Sequence, residues 1–338
     1  MKVKRILAGG TAALMALSLA ACTAEEGGEA NKELEKITVC LDWTPNTNHT
    51  GLYVAQAKGY FKEAGLEVEI VQPPEGGTSA ALCAAGQSQF AIEAQDTMAA
   101  SLAIDDPLPI TAVAALIQHN TSGIISRKGE GMDMPKGMEN HTYATWDNPI
   151  EQAILKNLVE AGGGDFSKVT LVPNTFNNEA AALEANQVDS IWIYYAWAGI
   201  NAELSGLDFD YFALRDLDPT FDYYTPVLIA NNDYLAQHSD SAKAFLNAVK
   251  QGYEYAIANP EESAQILIDG DTTGSLKGSE ELVVASQKWL ADQYKADVDQ
   301  WGYIDPARWD GFYQWLWDNQ LIARELPAGT GFSNDYLS

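Results

Sequence analysis

The chain is poor in basic residues, and this shortage excludes one large class of partner. Lys and Arg number 20 of the 338 residues against 47 Asp and Glu, so the formal net charge at pH 7 is -27. Because phosphate backbones are bound mainly through Lys and Arg, this balance argues strongly against nucleic acid as a partner. Net charge says little about the contents of a small-molecule site.

Cysteine is also scarce, with Cys22, Cys40 and Cys83 as the three present. The sequence has no CxxC pair and no clustered histidines, so it indicates neither a metal site nor a cofactor. Cys40 lies in a predicted strand and Cys83 in a predicted helix, and sequence alone does not bring them within bridging range. An exported chain could form one disulfide from them, but we favour two buried thiols.

A third shortage is of long apolar runs, since none reaches membrane-spanning length. The start of the chain has the layout of a secretory signal, with Lys2, Lys4 and Arg5 before an apolar run at 6–17. Residues 19–22 read LAAC, which resembles the lipobox of bacterial lipoproteins and implies lipidation of Cys22. A plain signal peptide that contains a cysteine is the alternative. We predict a signal at 1–21, a polar tether at 22–36 and an extracytoplasmic chain anchored to the bacterial cell membrane.

Strands and helices alternate from residue 37 onward, which predicts right-handed crossovers between parallel strands. A second unit with the same rhythm follows residue 127, and the chain then returns to the first unit. We predict an α/β fold of two lobes with mixed, mostly parallel sheets, joined by hinge crossovers near 122–126 and 227–231. Lobe I would comprise 37–124 and 229–338, and lobe II 125–228. Such lobes enclose a cleft that closes around a ligand.

The loop at 42–50 joins a predicted strand at 37–41 to a predicted helix at 51–64. Small ligands bind beyond the carboxyl ends of strands in open α/β sheets. Trp43 offers a stacking face for a flat ring, and Asp42, Asn46 and His49 surround it with polar groups. A turn or capping role remains open for Asp42 and His49, and a core role for Trp43.

A second concentration of aromatic residues follows the predicted strand at 190–194, where residues 192–199 read WIYYAWAG. A period of two places Trp192 and Tyr194 on one side, and Tyr195 and Trp197 on the other. We predict Tyr195 and Trp197 as ligand contacts, with Tyr194 as the alternative. Gln95, Trp146 and Tyr224 are further candidates, whereas Trp309, Phe312 and Leu316 recur at helical spacing and predict packing.

Residues 41–70 read LDWTPNTNHTGLYVAQAKGYFKEAGLEVEI. This segment resembles the pyrimidine-precursor branch of periplasmic-type binding proteins, which serve ABC importers and share ancestry with the eukaryotic thiamine pyrimidine synthase. The similarity continues at 86–95, 186–192 and 306–312. It implies the type II periplasmic binding protein fold. It also implies a monomer that captures an aminopyrimidine precursor of thiamine and delivers it to an ABC permease.

Within the same resemblance, riboflavin, an alkanesulfonate and nitrate are alternative solutes. Ala198 stands where relatives often have an acidic residue that could pair with an amino group, and Glu93, Gln95 and Asp96 could replace that contact. Gln95 matches a Gln common in the family. The synthase relatives have a functional His at the place of His49, but this chain lacks their cysteine-rich motif. We therefore expect a binding protein and no enzyme.

Overall fold

The computed structural model describes residues 34–74 and 77–337. The predicted signal at 1–21 and the predicted lipidation site Cys22 lie outside the described residues, as does most of the tether. The predicted tether reaches residue 36, whereas the first strand already begins at Glu35. No helix in the described ranges is long and apolar enough to cross a membrane.

The strands form two five-stranded sheets, in the orders β2-β1-β3-β10-β4 and β7-β6-β8-β5-β9. The strand bounds are β1 Glu35–Cys40, β2 Leu66–Val71, β3 Phe90–Glu93, β4 Ile110–Ala115, β5 Ser122–Arg127, β6 Thr142–Thr145, β7 Thr170–Pro173, β8 Ser190–Tyr194, β9 Phe209–Ala213 and β10 Val227–Asn231.

Helices cover these sheets, and most of them connect consecutive strands. The helix bounds are α1 Thr50–Ala57, α2 Tyr60–Glu63, α3 Ser79–Ala84, α4 Gln95–Leu102, α5 Pro149–Ala161, α6 Glu179–Glu184, α7 Ile200–Ser205, α8 Leu214–Leu217, α9 Asn232–Gln237, α10 Ser239–Ala258, α11 Pro260–Gly270, α12 Glu280–Ala291 and α13 Pro306–Asp318. The helix predicted at 51–64 is interrupted because Gly59 has a φ of 82°, a left-handed conformation that ends α1.

Both sheets are mixed, as predicted, but parallel pairs do not predominate. β1 pairs in parallel with β2 and β3, and β6 with β7 and β8. β10 and β5 run antiparallel to both of their neighbours. These two strands are the first after the chain changes sheet, and each enters its new sheet in the reverse direction.

The chain passes from one sheet to the other after β4 and again after β9, through segments 116–121 and 214–226. The crossovers predicted at 122–126 and 227–231 are instead the strands β5 and β10, each of which lies wholly in one sheet. The predicted lobe boundaries, at 124/125 and 228/229, fall inside those strands. Sheet membership favours boundaries a few residues earlier, and the division into lobes stays a prediction.

The core contains the residues whose spacing predicted packing. Trp309, Phe312 and Leu316 of α13 are fully buried, which confirms their assignment to an amphipathic helix. Cys40 and Cys83 are buried and have no disulfide partner within the described ranges, which confirms two thiols. Burial raises the pKa of Cys40 to about 11 and that of Cys83 to about 12, so neither thiol is a reactive thiolate.

Candidate functional site

Three carboxylates gather at one edge of the first sheet. The parallel pairing of β1 with β3 places Cys40 beside Ala91, so Asp42 and Glu93 leave the sheet side by side two residues further on. Asp96 follows in the first turn of α4. We call Asp42, Glu93 and Asp96 the carboxylate edge; it lies where the parallel strands of this sheet end.

The loop after β1 presents one ring to solvent and holds one carboxylate in place. Trp43 is 71% exposed. His49 is fully buried, and its Nδ1 accepts a hydrogen bond of 3.2 Å from the Asn46 backbone N–H. Its Nε2 therefore carries the proton and donates to Asp42 Oδ1 at 2.7 Å. The Asn46 side chain accepts from the Asn48 N–H and caps the turn Thr47–His49.

This geometry gives the four residues predicted in the loop different roles. Trp43 and Asp42 face outward, whereas both ring nitrogens of His49 are occupied within the protein. His49 is thus a positioning residue for Asp42, and Asn46 is a cap. Partial loss of hydration raises the pKa of the Asp42 carboxyl, but the hydrogen bond from His49 and those from the backbone outweigh it and hold that pKa below its ordinary value.

The other two carboxylates differ in how their oxygens are paired. Glu93 accepts hydrogen bonds from the Ala94 N–H at 3.0 Å and from the hydroxyls of Thr97 and Ser79. Asp96 Oδ1 is buried and has no partner in the described part of the chain. Burial, with the nearby charge of Glu93, raises the pKa of Asp96 to about 6.

Aromatic side chains gather at the facing edge of the second sheet. Trp146, just after β6, is 48% exposed, and Tyr194, which ends β8, is 36% exposed. Trp192 precedes Tyr194 by two residues on the same face of β8. Its ring centroid lies 6.0 Å from that of Trp146. We call Trp146, Trp192 and Tyr194 the aromatic edge.

Tyr194 of the aromatic edge lies near residues of the first sheet and of the segment that returns to it. Its hydroxyl lies 3.5 Å from Thr225 Oγ1, in the segment that returns to the first sheet. Partial loss of hydration raises the pKa of Tyr194, and the charges of Asp96 and Asp42 raise it further. The phenol of the second sheet therefore lies within the field of the carboxylate edge of the first.

The structure does not favour Tyr195 and Trp197 as ligand contacts. The strand does not continue as predicted, because Tyr195–Gly199 form a π-helical turn directly after Tyr194. The Tyr195 hydroxyl donates to Glu203, and its ring packs 5.3 Å from that of Trp289. Trp197 is partly buried against the core of the first sheet. Tyr194, the alternative, is the residue that faces the carboxylates.

Gln95 and Tyr224 also prove to be internal. Gln95 Oε1 accepts from the Tyr224 N–H at 2.9 Å, and its Nε2 donates to the Trp309 carbonyl at 2.8 Å. The Tyr224 hydroxyl accepts from the Asp305 N–H at 2.8 Å. Both side chains are buried with their polar atoms engaged. They hold the return segment against α13 and leave no group for a ligand.

Two surface grooves lie apart from these edges. One of about 530 Å³ is lined by residues of β1, β2 and α1, and one of about 520 Å³ by residues beside β4 and the C-terminal segment. Neither contains a residue of the carboxylate or aromatic edge. Within the described residues no three His, Cys, Asp or Glu side chains are placed to hold a metal ion.

Trp43, Asp42, Trp146 and Asp96 each follow the end of a strand, which is why the sequence predicts them at the sheet edges. The unpaired Trp192 indole N–H was not predicted. A period of two placed Trp192 beside Tyr194, but no sequence pattern shows whether a buried N–H finds a partner. The π-helical turn was missed for a related reason, since the same aromatic letters fit an extended strand.

Two mixed sheets joined by two crossovers define the fold of periplasmic binding proteins. The aliphatic sulphonate binding protein SsuA of Escherichia coli has this fold and matches with a TM-score of 0.66 at 13% identity, covering 88% of this chain and 97% of that one. The chain belongs to the NMT1/THI5-like family, whose model matches residues 46–263.

Two characterised relatives cover most of the chain. A formylaminopyrimidine-binding protein of Halalkalibacterium halodurans is 29% identical over 324 residues, which are 95% of this chain and 96% of the relative. A 4-amino-5-hydroxymethyl-2-methylpyrimidine phosphate synthase of Saccharomyces cerevisiae, THI11, is 24% identical over 253 residues, 70% of this chain and 71% of the relative. The relatives of this chain thus include both a protein named as a binding protein and one named as a synthase.

Proposed function

We propose that the chain is the extracytoplasmic solute-binding component of an ABC importer. It captures an aminopyrimidine precursor of thiamine between the carboxylate edge and the aromatic edge, and delivers it to a membrane permease. The observation that carries this proposal is the exposed Trp43 ring beside Asp42, whose carboxylate is oriented by a hydrogen bond of 2.7 Å from His49. The name of the Halalkalibacterium relative supports the same ligand class.

The two edges suit a flat ring that carries an amino group. Trp43 and Tyr194 offer ring faces from opposite sheets, and stacking of a base on an aromatic side chain contributes about 1–3 kcal/mol. A carboxylate accepts hydrogen bonds from an amino group, and such charge-assisted bonds are the stronger kind. Asp42 is suited to this role because its lowered pKa keeps it ionised at neutral pH.

The same groups disfavour the alternative solutes. A sulfonate or nitrate needs cations or several N–H donors, whereas the first sheet presents Asp42, Glu93 and Asp96 at its edge. The negative charges of these carboxylates would repel an anionic ligand and weaken its binding. Riboflavin carries no charge, and a direct binding measurement distinguishes it from the aminopyrimidine.

We further propose that the chain performs no chemical step. His49 uses Nδ1 and Nε2 within the protein, which leaves neither nitrogen for a substrate. The cysteine-rich motif of the synthase relatives is absent from the sequence, and Cys40 and Cys83 are buried. Formation of a pyrimidine product from histidine and pyridoxal phosphate by the purified chain would contradict this proposal.

Membrane attachment through Cys22 is part of the proposal, together with a monomeric chain. The basis is the LAAC sequence at 19–22 and the apolar run before it. In a bacterial host fed a labelled fatty acid, the chain is expected to become labelled and Cys22→Ser to remain unlabelled. Labelling of the variant would place the anchor elsewhere.

Titration calorimetry tests the ligand class. The full chain, in detergent, is expected to bind 4-amino-5-hydroxymethyl-2-methylpyrimidine or its formylaminomethyl counterpart, and Trp43→Ala is expected to weaken binding about tenfold or more. Trp43→Phe, which keeps a ring, should retain most of the affinity. Trp317→Ala, on the exposed side of α13, is the control. Absence of heat at millimolar ligand, or binding of riboflavin instead, would contradict the assignment.

A further inference from the structure

The face of the second sheet beneath Tyr194 carries two further polar side chains. β5 and β8 pair antiparallel with Ser122 opposite Tyr194 and Ile124 opposite Trp192. Residues directly opposite in such a pair point to the same face, and so do residues two apart on one strand. Ser122, Trp192 and Tyr194 therefore share one face, and Ile191 and Ile193 take the other.

Two polar atoms on this face lack partners. Trp192 is 3% exposed, and its indole Nε1 makes no hydrogen bond to any described residue. Ser122 is fully buried, and its Oγ is likewise without a partner in the described ranges. Buried polar groups are nearly always paired in native proteins, because an unpaired one forfeits its hydration without compensation.

Other buried indoles in the chain follow that rule. Trp301 Nε1 donates to the Leu116 carbonyl at 3.2 Å, and Trp309 Nε1 donates to the Thr330 carbonyl at 2.9 Å. Both of these tryptophans belong to the packed core. The Trp192 N–H lacks such a hydrogen bond, and it lies beside the exposed rings of Tyr194 and Trp146. This points to a hydrogen-bond acceptor that a ligand supplies.

An unpaired acceptor complements this unpaired donor. Asp96 Oδ1 is buried and without a partner among the residues described. The charge of Asp96 acts on both Tyr194 and Tyr223, so its carboxylate lies close to the aromatic edge. The two edges therefore contain one N–H donor and one carboxylate oxygen that have no partner among the described residues.

We propose that Asp96 and Trp192 read the hydrogen-bonding edge of the ligand. Asp96 Oδ1 accepts from an exocyclic amino group, and Trp192 Nε1 donates to a ring nitrogen or to the oxygen of a ring substituent, with Ser122 Oγ beside it. This inference rests on the proposed function and states which ligands the site selects. The site selects an uncharged heteroaromatic amine and discriminates against its phosphate ester, whose charge would face the carboxylate edge.

Paired ligands and paired variants test this assignment by calorimetry on the full chain. The probes are 4-amino-5-hydroxymethyl-2-methylpyrimidine, the analogue with hydrogen in place of the amino group, and the phosphate ester. The wild-type chain should bind the first about tenfold or more tightly than either of the others. Asp96→Asn should reduce the preference for the amino group, of which the part due to Asp42 remains, and Trp192→Phe should weaken binding of the parent compound about tenfold.

A second readout separates ligand contact from a structural role. Trp192→Phe removes the unpaired N–H together with part of a buried ring, so a modest fall in Tm is expected from the cavity and the affinity is measured on the folded chain. In the proton NMR spectrum, one indole N–H resonance, absent in Trp192→Phe, should shift downfield when ligand is added. Trp317→Phe and Asp105→Asn, both at exposed positions, are the matched controls.

The outcomes distinguish this inference from the proposed function. If the wild-type chain binds the aminopyrimidine and both variants bind it equally well, the assignment of Asp96 and Trp192 is wrong and the proposed function stands. If the wild-type chain does not bind it, both are wrong. If Trp192→Phe fails to fold, Asp96→Asn decides, because a reduced amino preference there supports the inference and an unchanged preference overturns it.

Discussion

Aromatic side chains are concentrated in two regions of this protein, and the two differ in how their polar atoms and ring faces are covered. In α13, Trp309 and Phe312 are fully buried, Phe312 stacks on Tyr223 at 4.2 Å, and the Trp309 N–H is hydrogen-bonded. At the aromatic edge, the rings of Trp146 and Tyr194 are exposed, and the Trp192 N–H has no partner within the described chain. Residue type alone therefore does not distinguish the two regions. They are distinguished by whether the ring faces are covered and the indole N–H groups are hydrogen-bonded.

The difference follows from where each segment ends. In α13 the positions 309, 312, 313 and 316 fall on one stripe of the helix, which lies against the return segment. Trp146 follows the last residue of β6, and Tyr194 is the last residue of β8, where it pairs with Ser122. A helix stripe meets a neighbouring layer along its whole length, whereas a strand end opens onto the space between the sheets.

Removing a packed ring should give the largest effect on stability. Trp309→Ala is expected to lower the free energy of unfolding by about 3–5 kcal/mol, because a large cavity replaces a fully buried side chain. Denaturant titration measures this loss. The ligand Kd of the folded fraction should be unchanged, and a selective loss of affinity would contradict the assignment of Trp309 to packing.

Removing the support of Asp42 should give an intermediate effect. His49→Ala is expected to cost about 2–3 kcal/mol at neutral pH, since it leaves a carboxylate without its donor and opens a small cavity. The pKa of Asp42 is lowered in the folded chain, so this pairing stabilises the fold above the ordinary value of 3.8 and is lost as the pH falls through the lower folded value.

The difference between wild type and His49→Ala should therefore shrink as the pH is lowered from about 5 to about 3. Urea titrations across this range measure it, and the part that persists at low pH reports the cavity. His49→Gln, which keeps a side-chain donor, is the control. A difference that does not change with pH would show that Asp42 gains nothing from His49.

Local patterns predicted those parts of the fold and site that depend on neighbouring residues. The strand Ser190–Tyr194 has its predicted bounds, because a short apolar run marks it. The loop of Trp43 was predicted from its place between a strand and a helix.

Long-range contacts account for what was not predicted. Gln95 and Tyr224 looked like ligand contacts, but they bond each other and Trp309, which is 214 positions from Gln95 in sequence. β5 was taken for a crossover because its pairing with β8 and β9 is set by the distant strands themselves. Such pairings depend on how the whole chain packs, which no local pattern records.

Removing an exposed ring should reverse the pattern of Trp309→Ala. Trp146→Ala is expected to change the free energy of unfolding by less than about 1 kcal/mol, because half of the side chain is already exposed. Its affinity for the aminopyrimidine should fall about fivefold, since the aromatic edge loses one face. Urea titration and calorimetry on the same preparation measure the two quantities. A stability loss with unchanged affinity would assign Trp146 to packing.

The expected effect on stability has the opposite sign at Asp96. Burial raises the pKa of Asp96 to about 6, so the folded chain binds this proton more tightly than the unfolded chain does. The ionised carboxylate therefore destabilises the fold, by an amount that grows as the pH rises from about 4 to about 6 and is constant above. Asp96→Asn should raise Tm by a few degrees at pH 7 and leave it unchanged near pH 4, while Asp105→Asn changes neither. A carboxylate that destabilises the fold, and whose removal weakens binding, serves the ligand and not the fold. A lower Tm for Asp96→Asn at pH 7 would instead show that Asp96 stabilises the packed structure.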